Sequence, residues 1–340
     1  MRSIPVELAQ GMVLCHDITR IVPGECKGPA FRKGHVILPE DIPTLLRLGK
    51  EHIYVWDLAE GLVHEDDAAG RIAAAIAGEG VTLTQPCEGR INLLADRRGL
   101  LKINVEALDR LNAIEEVTIA TVHTDAVVSP GQMLAGTRVV PLVVGKDRLE
   151  RVEAVVAETG PIVSVQVFRP LRVGVVTTGG EVYHGRIKDK FGPVLRRKFD
   201  DLGCTVVRQV IVPDDRDMTV RAIRQLMGEG AEMIAVTGGM SVDPDDLSPS
   251  SIRAAGGEVV TYGSPTFPGA MFMLAYIGEV PVVGLPGCVM YHKASIFDLT
   301  VPRLVAGERL TRTDIVRLGH GGLCAMCPEC RYPLCGFGKN

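Results

Sequence analysis

Met233-Ile234-Ala235-Val236-Thr237-Gly238-Gly239-Met240-Ser241-Val242-Asp243-Pro244-Asp245-Asp246-Leu247-Ser248-Pro249 is the stretch on which the fold of this chain turns. An apolar run, Met233 to Val236, leads straight into Thr237-Gly238-Gly239. Such a run suits a strand covered on both faces of a sheet, and the glycines suit a tight turn at its end. Ser248-Pro249 then reads as a helix start, with serine as N-cap and proline at the first helical position. Strand, glycine turn and helix in this order predict one unit of an α/β sheet.

The same grammar repeats on both sides. Leu171 to Thr177 is another continuous apolar run, and it ends in Thr177-Thr178-Gly179-Gly180-Glu181. A helix is expected from Phe191 to Leu202, stopped by Gly203, and a strand from Thr205 to Val212. Met218 to Met227 places Val220, Ile223 and Met227 on one helical face. Pro268-Gly269 and Leu285-Pro286-Gly287 supply two later turns. The alternation predicts a three-layer α/β domain, with its ligand crevice outside the carboxyl ends of the strands. Glycine turns let the backbone approach a ligand, and successive N–H groups beside a helix start cradle anions. A single glycine turn most often only reverses the chain. Three of them following strands of one domain argue for a site.

Between the second turn and its helix, Asp243, Asp245 and Asp246 crowd one loop. Carboxylates at this density suit a hard cation such as Mg²⁺, and they equally suit a solvated capping loop.

The rest of the chain reads differently. Residues 1–60 alternate short apolar runs with turns at Pro23-Gly24, Lys27-Gly28-Pro29 and Lys33-Gly34. One short helix is expected at Thr44–Leu48, and a strand at Ile53–Trp56 puts Trp56 in a core. Residues 61–168 are mixed and mostly β, with helices at Asp66–Ile76 and near Val105–Ile114. The α/β domain takes residues 169–310, and a cysteine-rich tail takes 311–340.

The 340 residues are 46% hydrophobic and 23% charged, with mean hydropathy +0.19, which excludes a disordered chain. Formal net charge is −4, so nothing global attracts nucleic acid or an anionic membrane, and neither is an expected partner. Met1 to Glu7 lacks the apolar run of a signal peptide. The most apolar stretch, Ala270 to Leu285, is interrupted by Gly278, Glu279, Pro281 and Gly284. A cytoplasmic location is therefore expected.

Cys324, Cys327, Cys330 and Cys335 cluster at one end, while the other five of nine cysteines are scattered. Four thiolates suit tetrahedral Zn²⁺ or an iron–sulfur cluster. The overlapping Cys-x-x-Cys pairs share Cys327, unlike the separated knuckles of a zinc ribbon. Free thiols in a disordered tail are the plain alternative. His16, His35, His64 and His292 stand alone in the sequence and read as structural or exposed.

Gly238-Gly239-Met240-Ser241 with Asp246-Leu247-Ser248 resembles the signature of molybdopterin-binding domains. Thr178-Gly179-Gly180-Glu181 with Gly185-Arg186-Ile187, the pair Asp214-Asp215, Pro268-Gly269 and Pro286-Gly287 resemble the other loops of that family, in order. Gly34 to Val55 is similar, less sharply, to molybdopterin molybdenumtransferases of the gephyrin type. The resemblance implies molybdopterin as ligand, held by Thr178, Gly179, Gly180, Glu181, Asp189, Asp215, Gly238, Gly239, Met240, Ser241, Asp243, Ser248, Pro268, Gly269, Pro286 and Gly287. It further implies Mg²⁺, molybdate as co-substrate, Asp246 as the catalytic residue and a homodimer. This chain departs from the family pattern at Gly180, at Lys188-Asp189-Lys190-Phe191 and at Gly287-Cys288-Val289. Two readings follow: an enzyme that inserts molybdate into adenylylated molybdopterin, or a non-catalytic carrier or sensor of the cofactor.

Overall fold

The computed structural model describes residues 2–22, 26–55, 61–140 and 142–339. The expected Pro23-Gly24 turn and Trp56 lie outside the described residues. The chain divides into two compact units, one of residues 1–96, 103–122 and 130–164, the other of 97–102, 123–129 and 165–340.

In the second unit, strand β1 is Arg172–Thr178, β2 Thr205–Val212, β3 Met233–Thr237, β4 Glu258–Tyr262, β5 Met273–Ile277 and β6 Val280–Leu285. They form one sheet in the order β2-β1-β3-β6-β5-β4. β2, β1, β3 and β6 are mutually parallel, β5 pairs antiparallel with β6, and β4 pairs antiparallel with β5. Its helices are α1 Gly180–Tyr183, α2 Phe191–Asp200, α3 Arg216–Gly228, α4 Ser248–Ala254, α5 Cys288–Tyr291, α6 Ile296–Val305 and α7 Arg312–Arg317.

Residue alternation splits the sheet into two faces. Val173, Val175, Met233, Ala235, Val283 and Leu285 pack with Leu195, Phe199, Phe297 and Val301 of α2 and α6. Val176, Ile234, Val236 and Val282 pack with Ile223 and Leu226 of α3 and Ile252 of α4. Because both faces are covered, successive residues in the middle of β1 and β3 are apolar, and these read as runs in the sequence. Phe199, Phe272 and Phe297 are fully buried, each contributing roughly 1.5–3 kcal/mol of burial. The expected three-layer α/β domain is the observed one.

The helix starting at Ser248 differs in detail. Leu247 precedes it in helical conformation, and Ser248 and Pro249 are its first two residues. Ser248 therefore does not cap; its hydroxyl goes elsewhere, as described below. The short helix α1 stands where the sequence suggests only a turn.

The first unit contains a four-stranded antiparallel sheet ordered Val81–Leu83, Arg90–Ala95, Met133–Val139, Val117–Thr121. Helix Glu65–Ile76 buries Ala68, Ala69, Ile72 and Ile76, and helix Val105–Asn112 is capped by the Asn104 side chain, which accepts from the Ala107 N–H at 3.1 Å. A third helix, Lys146–Thr159, escapes the sequence reading because only Leu149 and Val152 of it are buried, leaving a weak apolar stripe beside β-branched neighbours. The short amino-terminal helix spans Ile42–Arg47, with Pro43 in its first turn. Ile4, Val6, Leu14, Ile37, Leu45 and Ile53 form the small core beside it. Among the described residues, no helix is long and apolar enough to cross a membrane.

Candidate functional site

Register places the loops. Thr178 pairs with Val212, Thr177 with Thr237 and Thr237 with Leu285, so β1, β2, β3 and β6 all end on one edge of the sheet. Met273, the first residue of β5, pairs with Gly284 near the end of β6. The segment carrying Pro268-Gly269 therefore enters from that same edge. All five loops singled out in the sequence converge there, as expected for an α/β ligand crevice.

Two glycines are fixed by close approach. Gly238 has φ +81°, and a Cβ there would overlap the Thr178 carbonyl oxygen. Gly269 has φ +141°, and a Cβ there would run into Ile296 at the start of α6. Thr178 itself is buried, and its hydroxyl donates to the Thr237 carbonyl at 3.3 Å. The Ser248 hydroxyl donates to the Gly238 carbonyl at 2.7 Å, and the Ser248 N–H donates to the Gly239 carbonyl at 3.1 Å. The second loop is thus clamped between β1 and α4. Among the described residues, the backbone N–H groups of Gly239, Met240 and Ser241 have no protein acceptor.

The aspartates divide by role. Asp214 accepts from the Gly180 N–H at 2.8 Å, joining the loop after β2 to the loop after β1. Asp215 caps α3, accepting from the Met218 N–H at 2.7 Å. Asp189 accepts from the N–H groups of Phe191 at 2.9 Å and Gly192 at 3.1 Å, and from Gln209 Nε2 at 2.7 Å. Gln209 also donates to Thr177 Oγ1 at 2.9 Å. Asp189 is thereby held as a structural link, and Gln209 is a polar group absent from the residues named from the sequence. Its position alone gives no signal, because it acquires its partners across the sheet.

Glu181 is exposed, and its carbonyl accepts from the Arg186 N–H at 2.9 Å, closing the turn after α1. Met240 is buried against Gly284, so its side chain belongs to the core. The Met240 and Ser241 carbonyls both accept from the Tyr262 hydroxyl, at 2.9 and 3.1 Å. Asp246 accepts from the Asp243 N–H at 2.9 Å, folding the acidic loop into a compact turn. Pro286 and Gly287 lead into α5, where burial pushes the Cys288 thiol up and keeps it protonated. Among the described residues, no three His, Cys, Asp or Glu side chains form a group that could hold a metal ion.

Five loops on the carboxyl edge of a doubly covered sheet, two of them steric fits around glycine, define an α/β ligand-binding domain. Residues 174–306 match the family described as "Probable molybdopterin binding domain", and this unit carries a domain of that family. Residues 3–57 match a domain of unknown function.

A CinA-like protein of Geobacter sp. (strain M21) is 37% identical over 90 residues, covering 26% of this chain and 22% of the relative. The molybdopterin molybdenumtransferase of Synechococcus elongatus is 25% identical over 185 residues, covering 52% of this chain and 46% of that protein. The chain spans less than half the length of the curated relatives it matches. Among solved structures, the molybdopterin biosynthesis enzyme MoaB of Thermus thermophilus is similar at 19% identity and TM-score 0.33, covering 41% of this chain and 98% of that one.

Proposed function

We propose that this chain binds molybdopterin at the loop edge of its second unit and promotes molybdate insertion into the adenylylated form. The observation that carries the reading is the convergence of the loops at Gly179, Asp214, Gly238, Gly269 and Gly287 on one sheet edge, within the segment that matches the molybdopterin-binding family. The free N–H groups of Gly239, Met240 and Ser241 suit an anionic phosphate. Thr178, Gly180, Glu181 and Ser248 shape the crevice wall, Pro268 and Pro286 set the two later loops, and Asp189 and Asp215 hold the first loop and α3 from behind.

The acidic loop fits Mg²⁺ by donor chemistry. Asp243 and Asp246 offer hard oxygen ligands, and Mg²⁺ needs only one or two carboxylates, its other ligands being water and substrate phosphate. When bound, it supplies charge neutralisation at phosphate oxygens. Asp246 then acts as the catalytic carboxylate, and Asp243 braces it through its N–H. A homodimer and a cytoplasmic location belong to the same reading. The tail cysteines Cys324, Cys327, Cys330 and Cys335 add a thiolate metal site to it, either Zn²⁺ or an iron–sulfur cluster.

The departures at Gly180 and Cys288 favour a second reading, a carrier or sensor that binds the pterin without turnover. Anaerobic titration with adenylylated molybdopterin and molybdate, following bound pterin and released AMP together, separates the two. Molybdate-dependent AMP release that is lost in Asp246→Ala supports insertion. Stoichiometric binding without release establishes the carrier, and absence of binding refutes both.

A further inference from the structure

The carboxy-terminal segment is folded onto the second unit. Phe267 and Leu323 form a parallel bridge, with the Phe267 N–H donating to the Gly322 carbonyl and the Cys324 N–H to the Phe267 carbonyl, each at 2.8 Å. The Gly338 N–H donates to the Gly321 carbonyl at 2.9 Å, closing the segment into a loop. Phe337 is buried, its ring 6.2 Å from that of Tyr332, and the Tyr332 hydroxyl donates to the Asp298 carbonyl on α6 at 3.0 Å. Two aromatic anchors and a backbone bridge offset the cost of ordering the loop between them.

Inside this loop, Cys324, Cys327, Cys330 and Cys335 are all free thiols, and all four line one cavity of about 330 Å³. Lys293 and Arg331 line it as well, bringing positive charge to a site where thiolates would be anionic. Four thiolates form a soft donor set, suited to Zn²⁺ or to iron–sulfur clusters.

Size separates the two occupants. Zinc holds its sulfurs at about 2.3 Å, so four of them would stand about 3.8 Å apart around a point, with no void between. Here all four cysteines line one open volume, and among the described residues no three His, Cys, Asp or Glu side chains form a group that could hold a single metal ion. A four-iron cluster carries its cysteine ligands on the outside of a much larger body, and it needs four thiolates on a loop of this kind.

We propose that Cys324, Cys327, Cys330 and Cys335 bind a four-iron iron–sulfur cluster in this cavity. Chain connectivity ties the cavity's segments to two of the crevice loops. Phe267 of the bridge immediately precedes Pro268-Gly269, and His292 to Ala294 of the cavity wall follow α5, which begins after Pro286-Gly287. The cluster lies next to both loops in the chain. The inference does not depend on the pterin reading, because its test counts iron.

The full chain is purified anaerobically and reconstituted with a mixture of ferrous and ferric iron and sulfide, then assayed for iron, acid-labile sulfide and zinc. About four irons and four sulfides per chain, with visible absorption that bleaches on reduction, are expected. The double substitution Cys327→Ser and Cys330→Ser, at two exposed positions, should abolish iron uptake, whereas Cys87→Ser should leave it unchanged. One zinc per chain without iron would overturn the cluster, as would no metal at all. Should the double variant fail to fold, the metal count of the unmodified chain still decides.

Discussion

The Ser248 hydroxyl donates to the Gly238 carbonyl oxygen over 2.7 Å, so the first residue of α4 holds the backbone of the loop that ends β3. Ser248 is almost fully buried, with Thr178 Oγ1 a further 3.3 Å away. Ser248→Ala removes this part-buried hydrogen bond and should cost about 0.5–1.5 kcal/mol. Urea unfolding measures the cost, and pterin titration should show weaker binding by the same variant. An unchanged unfolding midpoint would mean the clamp contributes nothing.

Gly238→Ala and Gly287→Ala make a contrasting pair. A Cβ at Gly238 meets the Thr178 carbonyl and forces a left-handed residue, whereas a Cβ at Gly287 meets nothing within 4 Å and sits at φ −54°. The first should destabilise by at least about 1–3 kcal/mol and abolish pterin binding. The second should fold normally, so any loss of binding there reports ligand contact alone. Thermal unfolding beside pterin titration reads both.

Asp214 and Asp215 should separate function from stability. Asp215→Ala removes the cap of α3 and should cost about 0.5–2 kcal/mol with binding retained in the folded fraction. Asp214→Ala frees the Gly180 N–H on an exposed loop and should lower pterin affinity with little change in stability. Interchanged outcomes would assign the binding role to Asp215.

Glu65 supplies a pH signature in the first unit. Burial, with Asp66 beside it adding to the effect, pushes its carboxyl from the ordinary 4.5 up to about 7. Because the folded value is raised, Glu65 supports folding fully below about pH 4.5, and that support is lost as pH rises through about 7. Wild type should therefore lose on the order of 2–3 kcal/mol relative to Glu65→Gln across this window. Buried His64, its pKa lowered mainly by burial, acts in the opposite direction, but it is present in both proteins and cancels in the difference. Chemical unfolding at several pH values tests this; a pH-independent difference would show that Glu65 does not titrate there.

The α/β architecture was legible in the chain because both faces of β1 and β3 are covered, and double coverage writes itself as uninterrupted apolar runs. Gly238 and Gly269 were legible for a related reason: where another part of the chain passes within contact distance, only glycine fits, and the residue type records it. Lys146–Thr159 was not legible, since a helix with two buried residues carries almost no periodic signal.

What the tertiary structure alone decided is the direction of side chains with equivalent local claims. Asp214 and Asp215 are neighbours of one type, and only the start of α3 makes one of them a cap while Gly180, arriving from β1, engages the other. Ser248 had the sequence of an N-cap, yet the carbonyl of Gly238 competed for its hydroxyl and won. The cysteine segment likewise owes its shape to Phe267 and Asp298, contacts that local spacing cannot encode. Short-range sequence specifies the elements and the positions where backbone must pass close; partners brought together across the fold determine what each polar group then holds.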